Sequence, residues 1–135
     1  EVADRLSADP GSRAYGILTL SAAIKARVSP VCDVPASSFS PPPKVRSAVV
    51  RVDRLAAPRL PIDVPEERFF CVVKAAFGQK RKMAAKAVAS NLGLPRAVVD
   101  AAFDAAGIAK TERAERIGLE GFIHLARKLS AVLAK

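Results

Sequence analysis

Before residue 60 this sequence offers only two segments that can be strands, and a two-stranded sheet is marginal on its own. The first covers residues 28–34, short and apolar but interrupted by Pro30, which suits an edge strand. The second covers 47–53 and alternates. Ala48, Val50 and Val52 fall on one face, and Ser47, Arg51 and Asp53 on a wetter one. Two helical stretches precede them. Val2 and Leu6 share a face of the first, which Asp9-Pro10-Gly11-Ser12 stops. The second is expected over residues 14–26, with Ile17, Leu18, Leu20 and Ile24 near helical spacing. Helix, strand, loop, strand is how an open α/β sheet finishes, closed by an antiparallel edge. Residues 1–60 are therefore expected to be an α/β fragment, the end of a larger sheet whose N-terminal strands lie outside this sequence. The opening at Glu1 rather than Met fits a fragment, a processed product or a trimmed chain.

Residues 56–61 have little periodicity and two prolines, which places a domain boundary near residue 60. Beyond it, residues 61–135 are expected to be all helix. Pro65 with Glu66 and Glu67 makes a good helix start. Phe69, Phe70, Val73, Ala76 and Phe77 then form a broad apolar stripe. A second helix is expected from about 80 to 91, stopped at Gly93. A third opens with Pro95 and ends at Gly107, with Val98, Val99, Ala102 and Phe103 on one face. The last spans about 119–133 and turns Phe122, Ile123, Ala126 and Leu129 inward.

Half of the 135 residues are hydrophobic, enough to bury a core, and the net charge of +9 calls for an anionic partner. No apolar run reaches the length of a membrane span and no signal peptide opens the sequence, so nucleic acid is the expected partner, not a membrane. Cys32 and Cys71 have no CxxC neighbour, which suits reduced thiols and a cytoplasmic protein. His124 lies near the apolar stripe of the last helix without a second ligand at metal spacing, as a part-buried histidine would. No metal site and no nucleophile–base array can be assembled.

The sharpest electrostatic feature is acid-free. Arg68, Lys74, Lys80, Arg81, Lys82, Lys86 and Arg96 fall between residues 68 and 99 without one Asp or Glu. Gln79-Lys80-Arg81-Lys82 is expected at a helix start, where each cation opposes the dipole at about 0.3–1 kcal/mol. Phosphate contact would compensate; the bland alternative is a solvated face. Lys44 and Arg46 share a side of their strand and could meet phosphate, or be scattered surface cations. Phe39 sits before Pro41-Pro42-Pro43, which stiffen their loop. Its ring could plug the core beneath or stack on a base.

Three stretches resemble one family. Residues 1–6, with Pro10-Gly11-Ser12 and Tyr15-Gly16, are similar to the segment after the fourth strand motif of KsgA-type small-subunit ribosomal RNA adenine dimethyltransferases. Val34-Pro35-Ala36-Ser37-Ser38-Phe39-Ser40-Pro41-Pro42-Pro43-Lys44-Val45, running into Ser47-Ala48-Val49-Val50, is the most specific match. Ala75-Ala76-Phe77-Gly78-Gln79-Lys80-Arg81-Lys82 resembles that family's basic helix start. The resemblance implies the end of a class I S-adenosylmethionine-dependent methyltransferase sheet and a helical, rRNA-recognising C-terminal domain. It also implies dimethylation of N6 on two adjacent adenines in small-subunit rRNA or a ribosomal subunit precursor. Phe39 would sandwich the target adenine, and Lys44, Arg46, Gln79, Lys80, Arg81, Lys82 and Lys86 would meet RNA. The family's glycine-rich cofactor loop and Asn-Leu-Pro-Tyr motif are not in this sequence, which has no GxG and only one tyrosine. Cofactor binding would then belong to the missing N-terminal half, and the chain alone would be inactive. A related methylase of large-subunit rRNA, of the macrolide-resistance type, is one rival. A non-catalytic RNA-binding or ribosome-assembly module is the other.

Overall fold

Proline and glycine set where most elements stop, and tertiary hydrogen bonds set where two of them start. The structure, a computed structural model, describes residues 2–42, 47–79 and 82–133. It separates into two units, Glu1–Asp9 with Arg13–Arg59, and Pro10–Ser12 with Leu60–Lys135. The architecture is a two-stranded antiparallel sheet with helices, followed by a helical unit, the mixed α/β class expected.

In the first unit, α1 (Val2–Leu6) and α2 (Ile17–Ala23) precede β1 (Ala26–Val34) and β2 (Ser47–Arg54). Thr19 is buried and joins the two helices: its hydroxyl accepts from the Gly16 N–H at 3.2 Å and donates to the Arg5 carbonyl. Helix α2 is shorter than the residue 14–26 span expected. Its last carbonyls are taken by the chain returning from β2. The Leu55 N–H donates to Lys25 O at 2.9 Å, the Arg59 N–H to Ile24 O at 2.7 Å, and Arg59 Nη1 to Ala23 O at 3.0 Å. Residues 26 and 27 therefore join the sheet instead of the helix.

The strands pair from Ala26↔Arg54 to Val34↔Ser47, with the register broken between Pro30 and Cys32. Pro30 has no N–H to offer the ladder, so Val31 bulges out of it. The burial of β2 does not follow the expected alternation, and its expected dry face is open. Val52 is 57% exposed, Ala48 is exposed, and only Val50 is half-buried. A cavity of about 180 Å³ lies between α1 and the strands, lined by Asp4, Ser7, Val31, Cys32 and Val49 among others.

The second unit holds α3 (Glu66–Phe77), α4 (Ala84–Leu92), α5 (Arg96–Ala106) and α6 (Leu119–Leu133). Helix α3 packs on α4 and α6, and α5 packs on the same two. Phe69, Val73, Val88, Phe103, Phe122 and Leu129 are fully buried among them. Gly93 and Gly107 end α4 and α5 at φ 64° and 72°, the left-handed region where a side chain is strained. Pro10–Ser12 belongs to this unit, with the Gly11 N–H donating to Glu115 O at 2.6 Å.

Helix α4 starts at Ala84, four residues later than expected. Met83 is extended, and the Ala84 N–H donates to Glu112 O at 2.8 Å. His124 is exposed, so the part-buried placement expected for it is wrong: α6 turns Phe122, Ile123, Leu125 and Ala126 inward and leaves position 124 outside. Both cysteines are free and exposed.

Candidate nucleic-acid interface

The Phe39 turn is built from backbone bonds. Pro35 is extended, and a single 3-10 turn, Ala36–Ser38, follows. The Ser38 N–H donates to Pro35 O at 3.0 Å and the Phe39 N–H to Ala36 O at 3.1 Å. Phe39 leaves the turn in an extended conformation and is 43% exposed. The ring therefore stands at the surface of its unit. Lys44 and Arg46 lie outside the described residues. Arg51, on the wetter face of β2, is balanced by Asp53 at 3.0 Å.

In the helical unit the cations gather around the α3–α4 connection. Lys74 is exposed in the last turn of α3, Lys82 is exposed two residues before α4, and Lys86 is exposed in the first turn of α4. Among the described residues no ion pair involves any of the three. Lys80 and Arg81 lie outside the described residues. The Lys82 N–H donates to Gln79 O at 3.1 Å. With α4 beginning at Ala84, the Gln79–Lys82 run is not a helix start. It follows the end of α3, where the dipole favours positive charge. Lys86, like Arg68 in α3 and Arg96 in α5, sits in a first turn, where a cation opposes the dipole.

Gln79 belongs to the expected RNA-facing set, and Arg96 only to the wider acid-free stretch. The Gln79 side-chain carbonyl is buried and has no donor partner among the described residues, so it points inward instead of toward solvent. Arg96, counted in the acid-free stretch, is neutralised by Asp100 one helical turn later at 2.8 Å. Lys74 was within that stretch but outside the expected RNA-facing set; its exposure next to the connection was not visible from spacing alone.

The glycines at 11, 16, 78, 93, 107, 118 and 121 never fall at GxG spacing.

A family model described as ribosomal RNA adenine dimethylase matches residues 1–130. The chain belongs to the ribosomal RNA adenine dimethylase family. Ribosomal RNA small subunit methyltransferase A of Roseobacter denitrificans is 47% identical over 131 residues, 97% of this chain and 45% of that protein. The protein of the same name from Desulfitobacterium hafniense is 43% identical over 122 residues, 90% of this chain and 43% of that protein. This member of the dimethylase family thus spans less than half the length of those curated relatives. Among solved structures, the 23S rRNA methyltransferase ErmE aligns with a TM-score of 0.67 at 26% identity, covering 95% of this chain and 50% of that one. A dimethyladenosine transferase from Plasmodium falciparum shares the fold, with a TM-score of 0.75 at 20% identity over 96% of this chain and 54% of that one.

Proposed function

We propose that this chain is the RNA-gripping part of an enzyme that dimethylates N6 of two adjacent adenines in small-subunit rRNA. The observation that carries it is an exposed aromatic ring on a stiff turn in a ribosomal RNA adenine dimethylase sequence. An enzyme acting on a base nitrogen must take that base out of its stack and hold it flat. The Phe39 ring can do so by stacking, at about 1–3 kcal/mol per base. Lys82 and Lys86, with Lys80 and Arg81, hold phosphates in the helical unit, and Lys44 and Arg46 do so in the unit that carries the ring. Gln79 then supports the connection from inside instead of touching RNA. The methyl donor in this proposal is S-adenosylmethionine, which supplies an electrophilic methyl group. Its binding belongs to the share of the relatives' length that this chain does not match, and this chain alone is inactive. A ribosomal subunit precursor as substrate places the work in the cytoplasm.

The test uses a chain extended to the relatives' full length, offered small-subunit particles and naked large-subunit rRNA. Methyl incorporation into the particles is expected. Phe39→Ala should lower it roughly five- to hundredfold, the range that loss of one stacked base implies, while leaving the melting temperature in place. Methylation of large-subunit rRNA alone would transfer the chain to the macrolide-resistance class. Equal loss of stability and activity in Phe39→Ala would return the ring to a packing role.

A further inference from the structure

We infer that Asn91 is a positioning residue for the cations of the α3–α4 connection. The inference rests on the RNA-gripping role just proposed and names the side chain that keeps the grip in place.

The last carbonyls of a helix have no partner inside it and must find one elsewhere. Ala75, buried in the last turn of α3, carries such a carbonyl. Two donors meet it. The Gly78 N–H lies at 3.3 Å, and the side-chain amide of Asn91, sixteen residues further along, lies at 2.9 Å. The same amide packs where a side chain at Gly78 would go. Gly78 is where the chain leaves α3, and Asn91 stands in the last turn of α4. The amide therefore closes the base of the stretch 75–91. Lys82 and Lys86, both exposed, lie within that stretch, and in sequence so do Lys80 and Arg81.

Gln79 shows why the base needs closing. Its side-chain carbonyl is buried with no donor among the described residues. A buried acceptor without a partner gains by moving out to water. If residue 79 moves, Lys82 moves with it, because the Lys82 N–H donates to Gln79 O at 3.1 Å. The far end of the connection is pinned where the Ala84 N–H meets Glu112 O at 2.8 Å. The near end is pinned by Asn91. With both ends fixed, the lysines meet several phosphates at once without first being ordered. Asn91 is itself exposed, so truncating it removes one hydrogen bond and no core.

The test measures anisotropy of a fluorescent RNA stem-loop, with two adjacent adenines in its loop, as the full chain is added between about 50 and 200 mM salt. Circular dichroism sets a temperature at which every variant is folded. Asn91→Ala changes no charge. It should nevertheless weaken binding at least about threefold and lower the salt slope by about one, the mark of one lost phosphate contact. Gly78→Ala, which pushes the amide aside, should do the same. Gln79→Met removes the buried carbonyl, so in the Asn91→Ala background it should restore the wild-type slope. An Asn91 with a merely structural role would lower the melting temperature when truncated and leave the slope where it was. That result, or a slope that Gln79→Met does not restore, would overturn the inference while the proposed function stands. A wild-type chain that does not bind the stem-loop would sink both.

Discussion

Gly78 has no room for a side chain. A Cβ built there would lie 2.5 Å from Asn91 Nδ2, the same amide that donates to Ala75 O and closes the end of α3. Gly78→Ala gains a little from a stiffer unfolded chain, but it must dislodge Asn91 and leave the Ala75 carbonyl with only the Gly78 N–H as donor. Urea denaturation should show it destabilised by about 1–2 kcal/mol, and Asn91→Ala by about the same, since both lose one hydrogen bond. The double variant should lose little more than either alone, because the two changes remove one interaction. Additive losses would mean that Gly78 and Asn91 act separately. None of this was legible in the sequence, where Gly78 was one residue of a basic motif and Asn91 the end of a helix. Phe39 was legible as a choice between two roles, and its exposure supports the stacking role proposed for it.

At the scale of elements, legibility followed punctuation. Helices α3, α5 and α6 stand where Pro65, Pro95, Gly107 and the apolar periodicity put them. The end of α2 and the start of α4 were misplaced for one shared reason. Residues 24–26 and 80–83 are helix-compatible by local preference, and partners far along the chain override that preference. The carbonyls after α2 go to Leu55 and Arg59, and the first amide of α4 goes to Glu112. The dry face expected on β2 was misjudged differently: alternation fixes which residues share a face and says nothing of what covers it. The observed start of α4 carries a prediction of its own. Lys86 occupies its first turn, facing the positive end of the helix dipole. Lys86→Glu should stabilise the helical unit by about 0.3–1 kcal/mol and at the same time weaken RNA binding more than Lys86→Ala does. A gain in stability with unchanged RNA affinity would remove Lys86 from the interface, and a loss of stability would contradict the assigned start of α4.

At the scale of the whole molecule, the two units differ in how much apolar surface each buries. The helical unit closes on fully buried Phe69, Phe103, Phe122, Leu125 and Leu129. The first unit rests on a two-stranded sheet with Val31, Val49 and Val52 exposed, which is little core for an independent fold. Tyr15 reports on that unit alone, being the only tyrosine in a chain without tryptophan. Burial pushes its phenol from about 10 up to about 12. The folded state holds the neutral phenol, so its contribution is complete below pH 10 and is lost as pH rises toward about 12. Ultraviolet titration of the native chain should find phenolate appearing near the upper value, whereas the urea-unfolded chain should ionise near the ordinary one. During denaturation at neutral pH, tyrosine emission should change at lower urea than helical circular dichroism, because the unit with the thinner core opens first. Coincident transitions for the two probes would show that the exposed valines leave the first unit no weaker than the helices, and the difference in buried apolar surface would then not govern how this chain unfolds.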